Sequence, residues 1–549
     1  MRATLGVSFL AITIACTAPV VPSPDERISA AAVLDDVREL SADDMEGRGT
    51  GTAGEAQATR WIEQRFRDVG LSAAEGLFRQ EVRLVGMRRD DATASLRIAS
   101  RSNTLELVDT ENIAFWSSAQ RDTVDIDEAP LLFVGYGVQA PEYAWDDFKG
   151  VDVGGKVLLF LNNDPPVTEA GVELFGGEAR TYYGRWSYKF EQAMRLGAAG
   201  ALMVHTTPSA SYPFSVVQYA GTSEDFALDL SGAGYQVDLL GWVDEQLSDE
   251  IARSMGTDLD GLFAMARQRD FEPVDTGYRV SAHIDTTVRQ MTTENVLGFL
   301  PGSDPDLSDQ IVVFTAHYDH LGTNPELDGD TVFNGAWDNA LGVASIIALA
   351  DAFANMDRAP RRSLLFLACA GEESGLLGSA WFVAQPPVPL GSMVANFNID
   401  MPQIFGVTAD IAAIGEDTSE LGDVLRAVAA EFPVGDGQTV VVRGDSNPSA
   451  GSFYRSDQVN FAKAGIPALY LNPGSDYIEP LPFDPAAYEE AHYHQVSDEV
   501  RDEWNLAGLE RDLRIVFRTA RAVANGDEIP RWRPGNEFEA AWLQLHGLD

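Results

Sequence analysis

Four acids and two histidines between residues 317 and 494 have the types and spacing that could hold a pair of metal ions. The segment from Ile311 to Asp400 reads IVVFTAHYDHLG, NGAWDNALGVA, LLFLACAGEESGLLGS and VANFNID, and a later AHYHQVSDE follows. Each apolar run stops abruptly at an acid or a histidine, or a helix opens on one. His317, Asp338, Glu372, Glu373, Asp400 and His494 stand at these points. Carboxylate oxygens with two imidazoles suit zinc, and a carboxylate that binds no metal can move protons for a hydrolysis. Taken singly, each acid would be a helix cap or a solvated surface group.

The elements that must position these groups are legible from periodicity. Strands are predicted at Ile311–Ala316, Leu364–Ala370, Val394–Ile399 and Ile466–Leu471. Helices are predicted at Leu341–Asn355, Leu376–Val383, Ser419–Glu431 and Leu506–Ala524. Alternation of this kind implies an α/β fold, a mostly parallel mixed sheet with helices on both faces. In such a sheet, ligands gather at the carboxyl ends of strands. His317, Glu372, Glu373 and Asp400 each follow a strand directly, so three strands deliver them to one rim, and the loop before the next helix brings Asp338 over the same edge. The His-x-Asp spacing places Asp319 on the face of His317, where it can orient the imidazole. His320 is expected to line the pocket or support it rather than bind metal. Of the adjacent glutamates, one can bind metal while the other handles protons.

The bulk composition narrows the class. The chain has 549 residues, 39 Lys+Arg against 84 Asp+Glu and a formal net charge of -45, so it offers no basic patch to neutralise phosphates, and no nucleic acid is expected as partner. The leader MRATLGVSFLAITIACTAPVVPSP carries an apolar run too short to span a bilayer and fits an export signal. Its TIAC stretch is similar to a bacterial lipobox, with Thr13 where the pattern prefers Leu. Export to the periplasm or the medium is expected, with a membrane tether through a lipid on Cys16 as the further expectation. Cys369, in an apolar run, reads as a buried small hydrophobe, so no disulfide is expected. Residues 123–275 read as a small β-rich insert between a first part of the main domain (25–122) and the part that carries the candidate ligands (276–530), with a tail (531–549) expected to pack on the surface.

TAHYDHLG, GAWDNALGVA, AGEESGLLGS, NID and YHQVSDE, with the early LSADDMEGRGTGTAGEAQATRWIEQRF and the later FYRSDQVNFAKAGIPALYL, resemble the co-catalytic dizinc aminopeptidases. That family also contains glutamate carboxypeptidase II, glutaminyl cyclase and the transferrin receptor. The insert, with FVGYGVQAPEYAWDDFKGVDVGGKVLLF and RLGAAGALMVH, resembles the protease-associated domain. The resemblance implies two zinc ions bridged by Asp338. His317 and Asp400 would complete one, Glu373 and His494 the other, and Glu372 would be the general base. His494 rather than His492 occupies the family position, after Tyr493 and before QVSDE. Asn339 would follow the bridging aspartate through a cis peptide bond, and Tyr454 would contact the oxyanion or substrate. The chain departs from the family where Ser456-Asp457-Gln458 replaces a common Ser-Asp-His.

The implied activity is removal of N-terminal residues from peptides. A carboxypeptidase-like or other amide hydrolase on the same centre is the alternative, and a non-catalytic binding protein of this fold is the distant one. Cobalt or manganese in place of zinc, residue preference and oligomeric state stay open at this level.

Overall fold

The computed structural model describes residues 23–177, 179–210, 212–229 and 237–548. Cys16 and most of the expected leader lie outside them. Within them the expected alternation appears almost residue for residue. Strands occupy Ile311–His317, Ser363–Cys369, Met393–Ile399 and Ala468–Asn472, and helices Leu341–Ala354, Leu377–Ala384, Leu421–Ala429 and Ala507–Asn525. The strand Ile311–His317 runs parallel to Ser363–Cys369 on one side and to Met393–Ile399 on the other. Met393–Ile399 in turn runs parallel to Ala468–Asn472. Antiparallel strands complete both flanks, Val274–Leu300 against Ser363–Cys369 and Asp410–Ile414 against Ala468–Asn472.

These strands are apolar on both faces because both faces are covered. Val312, Phe314 and Ala316 meet the helices Leu341–Ala354 and Ala507–Asn525, while Ile311 and Val313 face Phe382 and Phe461 on the other side. The helix Leu341–Ala354 is apolar nearly all round for the same reason, since almost all of it is enclosed.

The long strand Val274–Leu300 joins two halves of one sheet. Its C-terminal end pairs with the strands just described. Its N-terminal end pairs with Thr123–Phe133, which leads through Val157–Leu161, Gly200–Val204 and Leu239–Val243 to Ile113–Trp116. Register therefore adds residues upstream of 123 to the half that contains Thr123–Phe133. Ser95–Ala99 pairs with Arg279–His283 and Ile113–Trp116 with Leu240–Val243, and Ile98, Leu105 and Ile113 join that half's own core. Alternation in these short strands gave no sign of which sheet they would join.

The tail also differs from its expected surface position. Trp532, Phe538 and Trp542 are buried with Phe453 and Tyr470, and the Trp532 indole donates to the Gly465 carbonyl at 2.9 Å. Burying three large rings there removes much apolar area from water and fixes the tail to the domain.

Candidate metal centre

The rim is propped from a distant part of the chain. Residues 47–49 lie along residues 320–322, with the Gly322 N–H donating to Gly47 O at 3.0 Å. A Cβ on Gly47 would sit 2.2 Å from the Gly322 carbonyl oxygen, and the backbone there has φ +63°, so both space and conformation require glycine. Between these glycines the fully buried Arg48 donates to the carbonyls of Tyr318, Leu40, Asn334 and Gly335. It thereby holds the HYDH loop and the approach to Asp338 together. Burial pushes its guanidinium down to about 10, while Asp498, Asp319, Asp338 and Glu373 pull the other way.

Asp338 lies at the centre. Its Oδ1 is 3.2 Å from His317 Nε2, and its Oδ2 is 3.2 Å from His494 Nε2. One carboxylate thus faces two imidazoles, one on each oxygen. His317 Nε2 is also 3.2 Å from Asp400 Oδ1, and His494 Nε2 is 3.1 Å from Glu373 Oε2. Two triads share Asp338. Ligands around a tetrahedral zinc with bonds of about 2.0–2.1 Å sit about 3.3 Å apart, so the donor atoms have the separation and chemistry that zinc requires. Two groups of metal-competent side chains occur here among the described residues, the buried His317 with Asp338 and Asp400, and His320 with Asp338 and the half-buried Glu373.

Asn339 follows Asp338 through a cis peptide bond. Its amide donates to Ile399 O at 3.0 Å and accepts from Gly342 N at 3.0 Å and Met401 N at 3.3 Å. The residue ties the end of Asp400's strand to the start of the helix behind Asp338. The backbone N–H groups of Trp337 and Asp338 donate to the Asp498 carboxylate at 2.9 and 3.0 Å. Burial raises Asp498 to about 6 against these bonds.

Asp319 does more than stand beside His317. Its carboxylate accepts from the backbone N–H groups of Glu372 and Glu373 at 3.0 and 3.2 Å. Its nearest approach to His317 is through its backbone oxygen, 3.3 Å from Nδ1, with the carboxylate at 3.8 Å. Asp319 therefore locks the loop carrying both glutamates to the loop carrying the histidine. His320 contacts Glu373 directly, Nδ1 to Oε1 at 2.8 Å, which leaves Oε2 turned to His494.

The adjacent glutamates differ electrostatically. Burial and the neighbouring Asp338 would raise Glu373, but His320 and His494 outweigh them and hold it below the usual carboxylate range. Burial lifts Glu372 well above that range; His317 opposes the rise, and Glu373 and Asp400 add to it. Among the described residues none hydrogen-bonds the Glu372 side chain. Asp338 is held far below its ordinary value because His317 and His494 overcome the cost of burial. Carboxylates pushed apart in this way divide into ligand and proton carrier.

Tyr454 is not brought to this group. Its hydroxyl donates to Glu537 Oε1 at 2.5 Å, and the ring packs among Phe453, Phe538 and Tyr182. The tail captures it, a contact that spacing could not reveal. The aromatic ring beside the metal-competent histidines is Tyr493, stacked on His494 at 3.9 Å and 41% exposed. Gln458, at the departure from the family pattern, is fully buried. It accepts from Asn398 at 2.7 Å and donates to Phe453 O at 2.7 Å. Sequence reasoning missed Arg48 and gave Asp498 no role, although both lie in motifs that carried the resemblance.

A mostly parallel sheet whose carboxyl edge gathers buried imidazoles and carboxylates around a shared aspartate defines a metal-dependent hydrolase. Residues 295–519 match the model for peptidase family M28. It is 24% identical over 355 residues to leupeptin-inactivating enzyme 1 of Streptomyces exfoliatus, covering 62% of this chain and 72% of that one. It is 44% identical over 95 residues to a probable zinc metalloprotease of Pyricularia oryzae, spanning only 17% of each chain. The aminopeptidase from Aneurinibacillus sp. strain AM-1 shares the fold, with 18% identity, a TM-score of 0.50 and coverage of 92% of this chain and 96% of that chain.

Proposed function

We propose that this enzyme is a zinc-dependent aminopeptidase that holds two metal ions per chain and releases N-terminal residues from peptides. The observation that carries the reading is the single carboxylate of Asp338 with a different histidine on each oxygen, both at 3.2 Å. His317, Asp338 and Asp400 would hold one ion, and Asp338, Glu373 and His494 the other. When bound, the pair supplies Lewis acidity that polarises a peptide carbonyl and acidifies a water. Glu372, unbonded and lifted by burial, takes the proton from the attacking water and returns it to the departing amine. His320 fixes the Glu373 carboxylate, Asp319 fixes the glutamate loop, and Asp498 fixes the backbone under Asp338. Tyr493, exposed at the His494 side, lines the approach for substrate.

The inserted half is proposed to be a protease-associated domain and the chain to be exported, with Cys16 as a lipid tether. Aminoacyl anilides and N-acetylated peptides, assayed with and without a chelator, test the activity. Chelator-sensitive cleavage of free-amine substrates alone is expected, and cleavage of blocked peptides would favour the carboxypeptidase-like alternative.

A further inference from the structure

We infer that Thr315, Asn398 and Gln458 are positioning residues that set Asp400 against His317 and so govern one of the two proposed metal ions, an inference that rests on the two-metal reading above. A strand covered on both faces is normally apolar on both, and Met393–Ile399 breaks that rule on one side only. Ala395, Phe397 and Ile399 join the core formed with the helix Leu341–Ala354. By alternation Asn396 and Asn398 take the other face, and both are fully buried. In the neighbouring strand Thr315, also fully buried, follows the apolar Ile311 and Val313 on that same face.

These polar groups form a ladder between two parallel strands, and the ladder ends at metal-competent side chains. The Asn396 amide donates to Thr315 Oγ1 at 3.1 Å, and the Thr315 hydroxyl donates to Asn398 Oδ1 at 2.6 Å. Register sets Thr315 opposite Asn398. Two residues further along each strand, on the same face, His317 Nε2 meets Asp400 Oδ1 at 3.2 Å. Asn398 is also held from the side. Its amide donates to Ser456 Oγ at 2.8 Å and to Gln458 Oε1 at 2.7 Å, and Gln458 Nε2 donates to Phe453 O at 2.7 Å. Both N–H groups of the Asn398 amide and its oxygen are therefore committed.

An amide buried in place of an apolar side chain costs free energy unless its hydrogen bonds are made. Once made, they specify one arrangement where an apolar contact tolerates several. The ladder fixes how the strand of Asp400 lies against the strand of His317, just below the point where their side chains would share an ion. Glu373 and His494 reach the rim on other loops, and among the described residues neither hydrogen-bonds a member of the ladder. The ladder thus acts on the ion of His317 and Asp400, whereas a ladder that served folding alone would affect both ions alike.

The test is zinc titration of the full chain against a competing chelator. His494→Ala leaves the ion held by His317, Asp338 and Asp400, and Asp400→Ala leaves the other. Thr315→Val keeps the shape and removes the hydroxyl, while Thr315→Ser keeps the hydroxyl. In the His494→Ala background, Thr315→Val and Gln458→Met should each weaken zinc binding about tenfold, and Thr315→Ser should stay within about threefold. In the Asp400→Ala background, Thr315→Val should change zinc affinity by less than about threefold. Circular dichroism checks the fold of every variant. Unchanged affinity for either variant in the His494→Ala background, an equal loss in both backgrounds, or Thr315→Ser as weak as Thr315→Val overturns the positioning role and leaves the two-metal reading standing. Failure of Thr315→Val and Gln458→Met to fold, with Thr315→Ser folded, makes the ladder a folding element and overturns it too. Wild type that binds fewer than two zinc ions per chain overturns both.

Discussion

The two halves of the sheet use buried acids in opposite ways. In the half built on Thr123–Phe133, buried Asp147 accepts from Val138 N and the Trp145 indole, both at 2.8 Å, and half-buried Asp244 accepts from Leu247 N at 2.8 Å as a helix cap. Asp164 is met by Thr181 and lies near Lys189. Each of these acids has neutral donors of its own, so its role ends with folding. At the peptidase rim, Asp338, Glu373 and Asp400 face imidazoles and one another, and among the described residues no group donates to the Glu372 carboxylate. The two halves show that a buried carboxylate's role is read from its donors, not from its burial or its place after a strand.

The largest effect should come from removing the proton carrier. Glu372→Gln keeps the shape and both metals but should lower kcat by about a thousandfold. Turnover within about tenfold of wild type, a barrier change of only about 1.4 kcal/mol, would place Glu372 with the structural acids instead.

Next is the pair of histidines on Glu373. His494→Ala should lose about one equivalent of zinc and most activity, whereas His320→Ala should keep both ions and lose about ten- to a hundredfold in kcat/KM or metal affinity. Metal analysis and kinetics of both variants check this, and the reverse order would exchange their roles.

A change in the inserted half should do the opposite. Asp147→Ala leaves the Val138 N–H and the Trp145 indole without their acceptor and should cost about 1–3 kcal/mol of stability with zinc content unaltered. Denaturant unfolding together with metal analysis decides it, and zinc loss at full stability would contradict the division.

The last effect, read only in the pH dependence of stability, concerns the contact between the halves. Glu537 accepts from Tyr454 and from Tyr182 N, and burial raises it to about 8 from 4.5. The native state then holds a proton that the unfolded chain releases, so stability should fall as pH rises between about 4.5 and 8. Glu537→Gln should flatten that part of the Tm–pH curve, and an unchanged slope would remove Glu537 as its source.

Much of this was legible in the sequence, and the limits are physical. The core strands were readable because apolar runs end where chemistry begins; His317, Asp338, Glu373 and Asp400 meet at the rim as their places at strand and helix ends implied, and His494 joins them where the family resemblance put it. Contacts between distant segments were not readable. Asp498 reaches back 160 residues to Asp338 N, Arg48 reaches forward 270 to Tyr318 O, and Tyr454 is claimed by Glu537 across 83. No local period marks such pairs. The strands Ser95–Ala99 and Ile113–Trp116 could not be assigned to a half for the same reason, since pairing partners rather than propensity chose their sheet.

The central claim is that one aspartate bridges two ions. Zinc bound per chain, measured by elemental analysis on purified wild type and Asp338→Ala at matched concentrations, tests it most directly. The account predicts two equivalents in wild type and a loss from both positions in the variant, to less than one. Two equivalents retained by Asp338→Ala, or a single equivalent in fully active wild type, would contradict it.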